Sequence, residues 1–298
     1  MTAQSESFPS PAQGPTAPAL ERVCVLIVNY NSGQWLGRCL RALKGTGARL
    51  PDIRILDNAS VDGSVDDLPD MPGVQIIRSE ENLGFGPGVN RLASEVEHEF
   101  ILILNPDCLL VAKSLERLIQ EMDAWPDTAL VSGRIFDMSG DEQRGSRRQL
   151  PSPGRLRNEV LKFHFGSGVD LTHLPPPRSA CEVEAVSGAC MLIRTSVFNS
   201  LDGFDVGFPM HFEDLDLMAR IGEASHAIRL VPDVAISHAG GVSSQHRPVQ
   251  VELDKHRGLW RYLVKHCRSQ WPWWSRPLWA AAIALHFLLI APLALLRR

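Results

Sequence analysis

Two short segments, Val23-Cys-Val-Leu-Ile-Val28 and Phe100-Ile-Leu-Ile-Leu104, are apolar without interruption. Unbroken runs of this length suit strands buried on both faces of a parallel sheet. Residues 53–56 and 74–77 predict two further strands. Between these segments the apolar residues change to helical spacing: Trp35, Leu36, Cys39, Leu40 and Leu43 form one set, and Val89, Leu92, Ala93 and Val96 another. A helix around 112–122 and a strand at 129–132 continue the pattern. Strands alternating with helices imply an α/β fold with a largely parallel sheet.

Past residue 134 the alternation fails. Residues 137–180 are rich in Gly, Pro, Arg and Ser and read as a long irregular stretch, of the kind that often forms lids or binding loops. Strands are expected again at 183–194 and 227–231, and an amphipathic helix over 249–266. The net charge of −4 excludes a general nucleic-acid binder, which needs a clustered basic surface. Six scattered cysteines without a Cys-x-x-Cys pair fit neither a zinc ribbon nor a disulfide framework, and reduced thiols are expected.

The two ends differ in kind. Residues 1–20, rich in Pro, Ala, Ser and Gln, offer too little apolar surface to offset their ordering entropy and read as a disordered tail, not a secretory signal. Residues 278–296 are nearly all apolar, broken by His286 and Pro292, with Trp271, Trp273, Trp274 and Arg276 before them and Arg297 and Arg298 after. That length can cross or lie in a bilayer, and Trp and Arg are the usual interfacial anchors. A membrane-associated segment over 268–298 follows, with the body on the cytoplasmic side.

Polar residues cluster at the ends of the expected strands. Asn29 and Asn31 follow the first, Asp57 and Asn58 the second, and Asn105 and Asp107 follow Phe100–Leu104. In an open parallel sheet these carboxyl ends share one edge, where ligands bind. Asn82-Leu-Gly-Phe-Gly-Pro-Gly88 is a glycine-rich turn into a helix and not a dinucleotide fingerprint, because it does not follow the first strand and Val89 stands in the sixth place. Further along, Glu213, Asp214 and Asp216 crowd three carboxylates into four positions. Asp216 can pair with Arg220 one helical turn on, whereas the adjacent Glu213–Asp214 pair repel, which raises one pKa and suits a general base. His238 precedes two glycines, and beside a metal-binding Asp it would be a natural ligand.

Val28-Asn-Tyr-Asn31, Asp57-Asn-Ala-Ser60, Glu81-Asn-Leu-Gly-Phe85, Leu104-Asn-Pro-Asp107, Ser187-Gly-Ala-Cys190, Gly203-Phe-Asp205, Phe212-Glu-Asp-Leu-Asp216 and His238 occur in an order that resembles the inverting glycosyltransferases of family 2. The match spans about residues 22–245 and looks like the bacterial rhamnosyltransferase-like branch. The resemblance implies a GT-A fold over 21–267 and a nucleoside-diphosphate sugar donor. By that analogy Asn29, Asn31, Asp57, Asn82 and Gly84 line the donor site, with Asp57 reading the pyrimidine. Asn105-Pro-Asp107 stands where the family has its Asp-x-Asp motif, so Asp107 and His238 would hold Mg²⁺ or Mn²⁺. Gly188 and Ala189 would lie under the sugar, Asp214 would be the base and Glu213 its neighbour. Asn105 in place of Asp leaves one anionic ligand and a weaker metal site. Arg147 and Arg148 are candidates for gripping a phosphate, with a solvated loop cluster as the alternative. The expected activity is transfer of a sugar, with rhamnose from dTDP-rhamnose as the leading choice, to a lipid-linked or polysaccharide acceptor. The alternatives are a UDP-hexose or UDP-N-acetylhexosamine donor, or an inactive nucleotide-binding relative at the membrane.

Overall fold

A computed structural model describes residues 19–44, 51–66, 68, 71–160, 169–241 and 248–296. The strands are β1 (Val23–Asn29), β2 (Asp52–Asn58), β3 (Val74–Ser79), β4 (Phe100–Leu104), β5 (Cys108–Leu109), β6 (Thr128–Phe136), β7 (Arg147–Arg148), β8 (Cys181–Glu182), β9 (Ala185–Val186), β10 (Cys190–Arg194) and β11 (Ala227–His238). The helices are α1 (Trp35–Lys44), α2 (Phe85–Ala93), α3 (Ala112–Ala124), α4 (Pro153–Val160), α5 (Thr195–Ser200), α6 (Glu213–Glu223), α7 (Pro248–His266) and α8 (Arg276–Leu296). The main sheet runs β3-β2-β1-β4-β10-β6-β11-β5, with β8 added alongside β11.

The first four strands are parallel. β1 and β4 lie at the centre and are buried at every residue, so their continuous apolar runs face helices on both sides. Each fully buried Val, Leu or Ile there contributes about 1.5–3 kcal/mol of transfer free energy. α2 approaches β1 closely because Gly88 has no side chain: a Cβ there would lie 2.9 Å from Val28. β10 then enters antiparallel between β4 and β6, and β11 returns parallel to β6. The sheet is thus parallel where the sequence alternates and mixed where it does not.

Three sequence expectations change. The strand expected at 183–194 is two strands, β9 and β10, broken at Ser187-Gly188-Ala189. Ala19 and Leu20, expected in the tail, open a 3₁₀ turn in which Leu20 is buried, its side chain joining the core under β1; residues 1–18 lie outside the described residues. The C-terminal boundary also moves. Trp271 is buried in the core, its ring between Trp260 of α7 and Trp279 of α8, so packing continues past the expected boundary at 267. All six cysteines are free, as expected.

Candidate functional site

The carboxyl ends of β1, β2 and β4 do share one edge. Asn29 is fully buried there and donates from Nδ2 to Ser64 Oγ at 2.9 Å, Ser60 Oγ at 3.1 Å and Asp57 Oδ1 at 3.3 Å, while its Oδ1 accepts from Ser32. Its role is to orient the buried Asp57. Asn31 takes a left-handed conformation (φ 49°) and accepts from the Val61 amide, tying the β1 loop to the β2 loop. Asn58 Nδ2 donates to Asn82 Oδ1 at 2.9 Å, and Asn82 Oδ1 also accepts from the Gly84 amide. Gly84 (φ +90°) makes the turn into α2 that a side chain would strain. Asn58 and Ser64 therefore belong to this edge. Asn58 is visible in the sequence as a strand-end residue, but Ser64 carries no local signal.

At the end of β4 the chain turns and β5 pairs antiparallel with the end of β11, setting His238 opposite Cys108. That register brings His238 Nε2 to 3.2 Å from Asp107 Oδ1 and 3.5 Å from Asn105 Nδ2. Asp107 Oδ2 accepts from the Gly240 amide at 3.0 Å. Gln143 fixes the imidazole. Its Nε2 donates to the His238 carbonyl at 2.7 Å, so its Oε1, 2.9 Å from Nδ1, must be the acceptor and Nδ1 must carry the proton. Nε2 then faces a carboxylate oxygen. A ligating histidine usually donates its other ring N–H in this way, leaving Nε2 to face the ligand carboxylate, here 3.2 Å away. The residues present fit a divalent cation. Cys108 lies within the same cluster but is not suited to a hard cation: its fully buried thiol is pushed well above its ordinary pKa, first by burial, and donates to the Ala189 carbonyl at 3.3 Å.

The carboxylate pair opens α6. His211 and Phe212, both left-handed (φ 65° and 70°), turn the chain into the helix, a conformation that costs about 1–3 kcal/mol per residue and is held by its surroundings. α7 supplies them: a Cβ on Gly258 would lie 3.0 Å from the His211 carbonyl, and the Phe212 and Tyr262 rings are 6.1 Å apart. Asp214 Oδ2 meets Arg148 Nη2 at 2.5 Å, and Arg148 also donates to the Val186 carbonyl. Burial raises the Asp214 pKa, but the Arg148 charge and hydrogen bond and the Leu215 amide outweigh it and hold the carboxyl below its ordinary value. Glu213 is the opposite. Burial, and then the Asp214 charge, push it well above the carboxylate range, and its Oε2 is buried without a hydrogen-bond partner. Asp216 is fully buried and bonds Arg220, Lys265 and His266, so it ties α6 to α7 and has no free face.

The two arginines divide. Arg148 reaches the site, but as the partner of Asp214. Arg147 does not: its side chain is 6 % exposed and bonds Glu142 and the carbonyls of Thr172, Leu174 and Pro175. Adjacent residues of a short strand, β7, point to opposite faces, so only one could face the cleft. Arg147 braces the irregular stretch, and the expectation of a phosphate contact there is corrected. Arg148 and Gln143 both act in the 137–180 stretch, where no periodicity marks a residue for a role.

The break between β9 and β10 joins these parts. The Ala189 carbonyl accepts from the Asn105 amide at 2.9 Å, and a Cβ on Gly188 would lie 2.8 Å from Asp214 Oδ2. Gly188 and Ala189 thus touch the Asn105–Asp107 segment on one side and the Asp214 carboxylate on the other.

Residues 24–200 match the family model for glycosyl transferase family 2. The chain is 28 % identical over 266 residues to the N-acetylglucosaminyl-diphospho-decaprenol L-rhamnosyltransferase of Mycobacterium tuberculosis, covering 80 % of this chain and 86 % of that protein. It is 27 % identical over 158 residues to the rhamnosyltransferase WbbL of Escherichia coli K12, covering 50 % and 58 %. Its fold resembles that of a mannosyltransferase of Pyrobaculum calidifontis in complex with GDP-Man and Mn²⁺, with a TM-score of 0.54, 16 % identity and coverage of 92 % and 72 %. It also resembles TarS of S. aureus in complex with UDP-GlcNAc, with a TM-score of 0.56, 16 % identity and coverage of 81 % and 65 %. With its mixed α/β sheet and GT-A neighbours, this chain belongs to glycosyltransferase family 2.

Proposed function

We propose that this glycosyltransferase moves rhamnose from dTDP-rhamnose to a hydroxyl of a lipid-linked or polysaccharide acceptor, in one inverting displacement, at the cytoplasmic face of a membrane. The observation that carries the reaction is the Gly188–Ala189 turn, which touches Asn105 on one side and Asp214 on the other. A sugar over that turn would have its leaving diphosphate toward Asp107 and its acceptor face toward Asp214. The rhamnosyltransferases of similar sequence support the choice of sugar, and the diphospho-decaprenol in the name of one supports a lipid-linked acceptor.

The chain's own residues divide the work. Asn29 and Asp57 hold the nucleoside at the ends of β1 and β2, with Asn31, Asn82 and Gly84 shaping the loops around it. Asp107 and His238 would hold Mg²⁺ or Mn²⁺, which offsets charge growing on the leaving diphosphate. Asp214, kept ionised by Arg148, takes the proton of the attacking hydroxyl. Glu213 is buried with its Oε2 lacking a hydrogen-bond partner, and burial and the Asp214 charge favour its protonated form, so it is the poorer base.

The test is transfer and donor hydrolysis by the purified full-length protein, with dTDP-rhamnose, UDP-hexoses and UDP-N-acetylhexosamines, and with Mn²⁺ or EDTA. Turnover should be greatest with dTDP-rhamnose, stop reversibly in EDTA, and be abolished by Asp107→Ala. Preference for a UDP-sugar would overturn the donor, and full activity in EDTA would overturn the metal.

A further inference from the structure

α8 is long and apolar enough to cross a bilayer, yet it does not stand apart from the domain. It runs back along α7: His256 Nε2 lies 2.8 Å from His286 Nδ1, and His256 packs against Phe287. Nearer the turn, the Trp260, Trp271 and Trp279 rings pack in series, tilted and edge to face. Trp279, Ile283, Phe287 and Ile290 are half-buried at helical spacing and form the side toward the protein. The opposite side is wholly apolar and exposed, with Leu278, Leu285, Leu288 and Leu289 each 58–65 % accessible, and Trp273 and Trp274 at its entrance. His286 is the one polar side chain in the interior of α8, and it is the one partnered by α7.

Helix α7 is a different kind of surface. Arg257, Arg261 and Lys265 are exposed at spacings of four residues, which puts them on one face, and Arg268 is exposed in the turn just past the helix. That face adjoins the Trp260 edge that meets α8. Arg261 and Lys265 share Asp205, and Lys265 also reaches Asp216. Arg257 and Arg268 meet no acidic partner among the described residues. Trp260 and Val264 join Arg261, Lys265 and Asp205 around a shallow recess on this flank.

We propose that α7 and α8 together form a dock for a bilayer carrying anionic phospholipid, in which α8 lies along the interface and does not cross it. The proposal rests on the membrane association inferred above and adds its geometry and lipid class. If α8 spanned the bilayer with the helix pair intact, Asp254, Lys255, Arg257 and Arg261 of α7 would follow it into hydrocarbon, where charges are costly. Lying in the plane, the Leu face of α8 enters the acyl boundary and the basic face of α7 stays among the headgroups. Anionic headgroups complement four basic side chains facing two carboxylates. The other side of α7 packs on His211 and Phe212, directly before Glu213 and Asp214. The dock therefore holds the catalytic carboxylates one helix away from the lipid surface.

The test is flotation of the full-length protein with vesicles of phosphatidylcholine alone, or with about one third phosphatidylglycerol. The anionic vesicles should bind at least about tenfold more protein, and about 1 M NaCl should release it, because exposed charges are screened at that strength. Arg257→Glu with Arg268→Glu should remove the preference while leaving the melting temperature and its nucleotide-dependent shift unchanged. Leu285→Ser with Leu288→Ser should lower binding to both vesicles. Equal, salt-resistant binding to both vesicles would mean that α8 spans, overturning the proposal but not membrane association. Absence of binding to either would overturn membrane association itself. Concentration-dependent dimers in light scattering, lost in the Leu285 and Leu288 variant, would assign the surface to a second copy of the chain and overturn the proposal.

Discussion

The two sides of the cleft are built differently. On the side we propose for the donor, Asn29, Asp57, Asn105 and Asp107 sit at or just past the ends of three parallel strands, and the sheet alone aligns them. On the side we propose for the acceptor, Asp214 is placed by a left-handed turn, by Arg148 from a two-residue strand, and by α7 behind it. The first side is positioned by regular backbone pairing and the second by side chains far apart in sequence. Substitutions on the donor side should act mainly through binding, and those on the acceptor side through the chemical step.

The largest expected effect tests that division at its centre. Asp214→Asn keeps the shape and removes the proton acceptor, so kcat should fall by about 10²–10⁴-fold with donor affinity little changed. Steady-state kinetics with direct donor titration would check it, and an unchanged kcat would remove Asp214 as the base. A smaller effect should come from the point where the two sides meet. Gln143→Leu leaves every direct ligand in place but frees the His238 ring, and Mn²⁺ affinity in the presence of nucleoside diphosphate should fall by about 10–100-fold. Calorimetry measures it, and unaltered affinity would mean that the histidine orientation is set elsewhere.

The smallest effect concerns stability. The folded state holds the Glu213 proton that the unfolded chain releases above about pH 4.5. Between that value and the raised one the folded state binds more protons than the unfolded chain, so stability is lost as pH rises. Glu213→Gln removes the titration. Its melting temperature should match the wild type near about pH 5 and exceed it increasingly toward about pH 8. A constant difference across that range would show that Glu213 is not held protonated by the fold.

The polar edge proposed for the donor is legible in the amino-acid sequence because its signals are local. An apolar run followed by Asn or Asp marks a strand and its end, and parallel order places those ends together. Asp214 and His238 are singled out by family resemblance, and the structure sets the one against Arg148 and the other 3.2 Å from Asp107. Gln143 is not, because nothing in residues 137–180 distinguishes one polar side chain from another. Arg147 and Arg148 show the same limit at adjacent positions: both are arginines in one short strand, and only side-chain direction separates a brace from the partner of a carboxylate. At the C-terminus, composition identifies an apolar helix but puts the edge of the folded core at 267, because packing of Trp271 between two helices leaves no mark in a local window.

The sequence by itself determined the alternating strands and helices, the polar edge of the sheet, the family and the apolar helix, since each depends on residues close together in the chain. Only the tertiary structure decided which carboxylate of the pair is pushed toward its protonated form, which arginine reaches the other, how His238 is oriented and what the apolar helix packs against. Those outcomes depend on burial and on contacts between residues as distant as Arg148 and Asp214 or His256 and His286. Desolvation and hydrogen-bond direction are properties of the packed chain and have no counterpart in a short window of sequence.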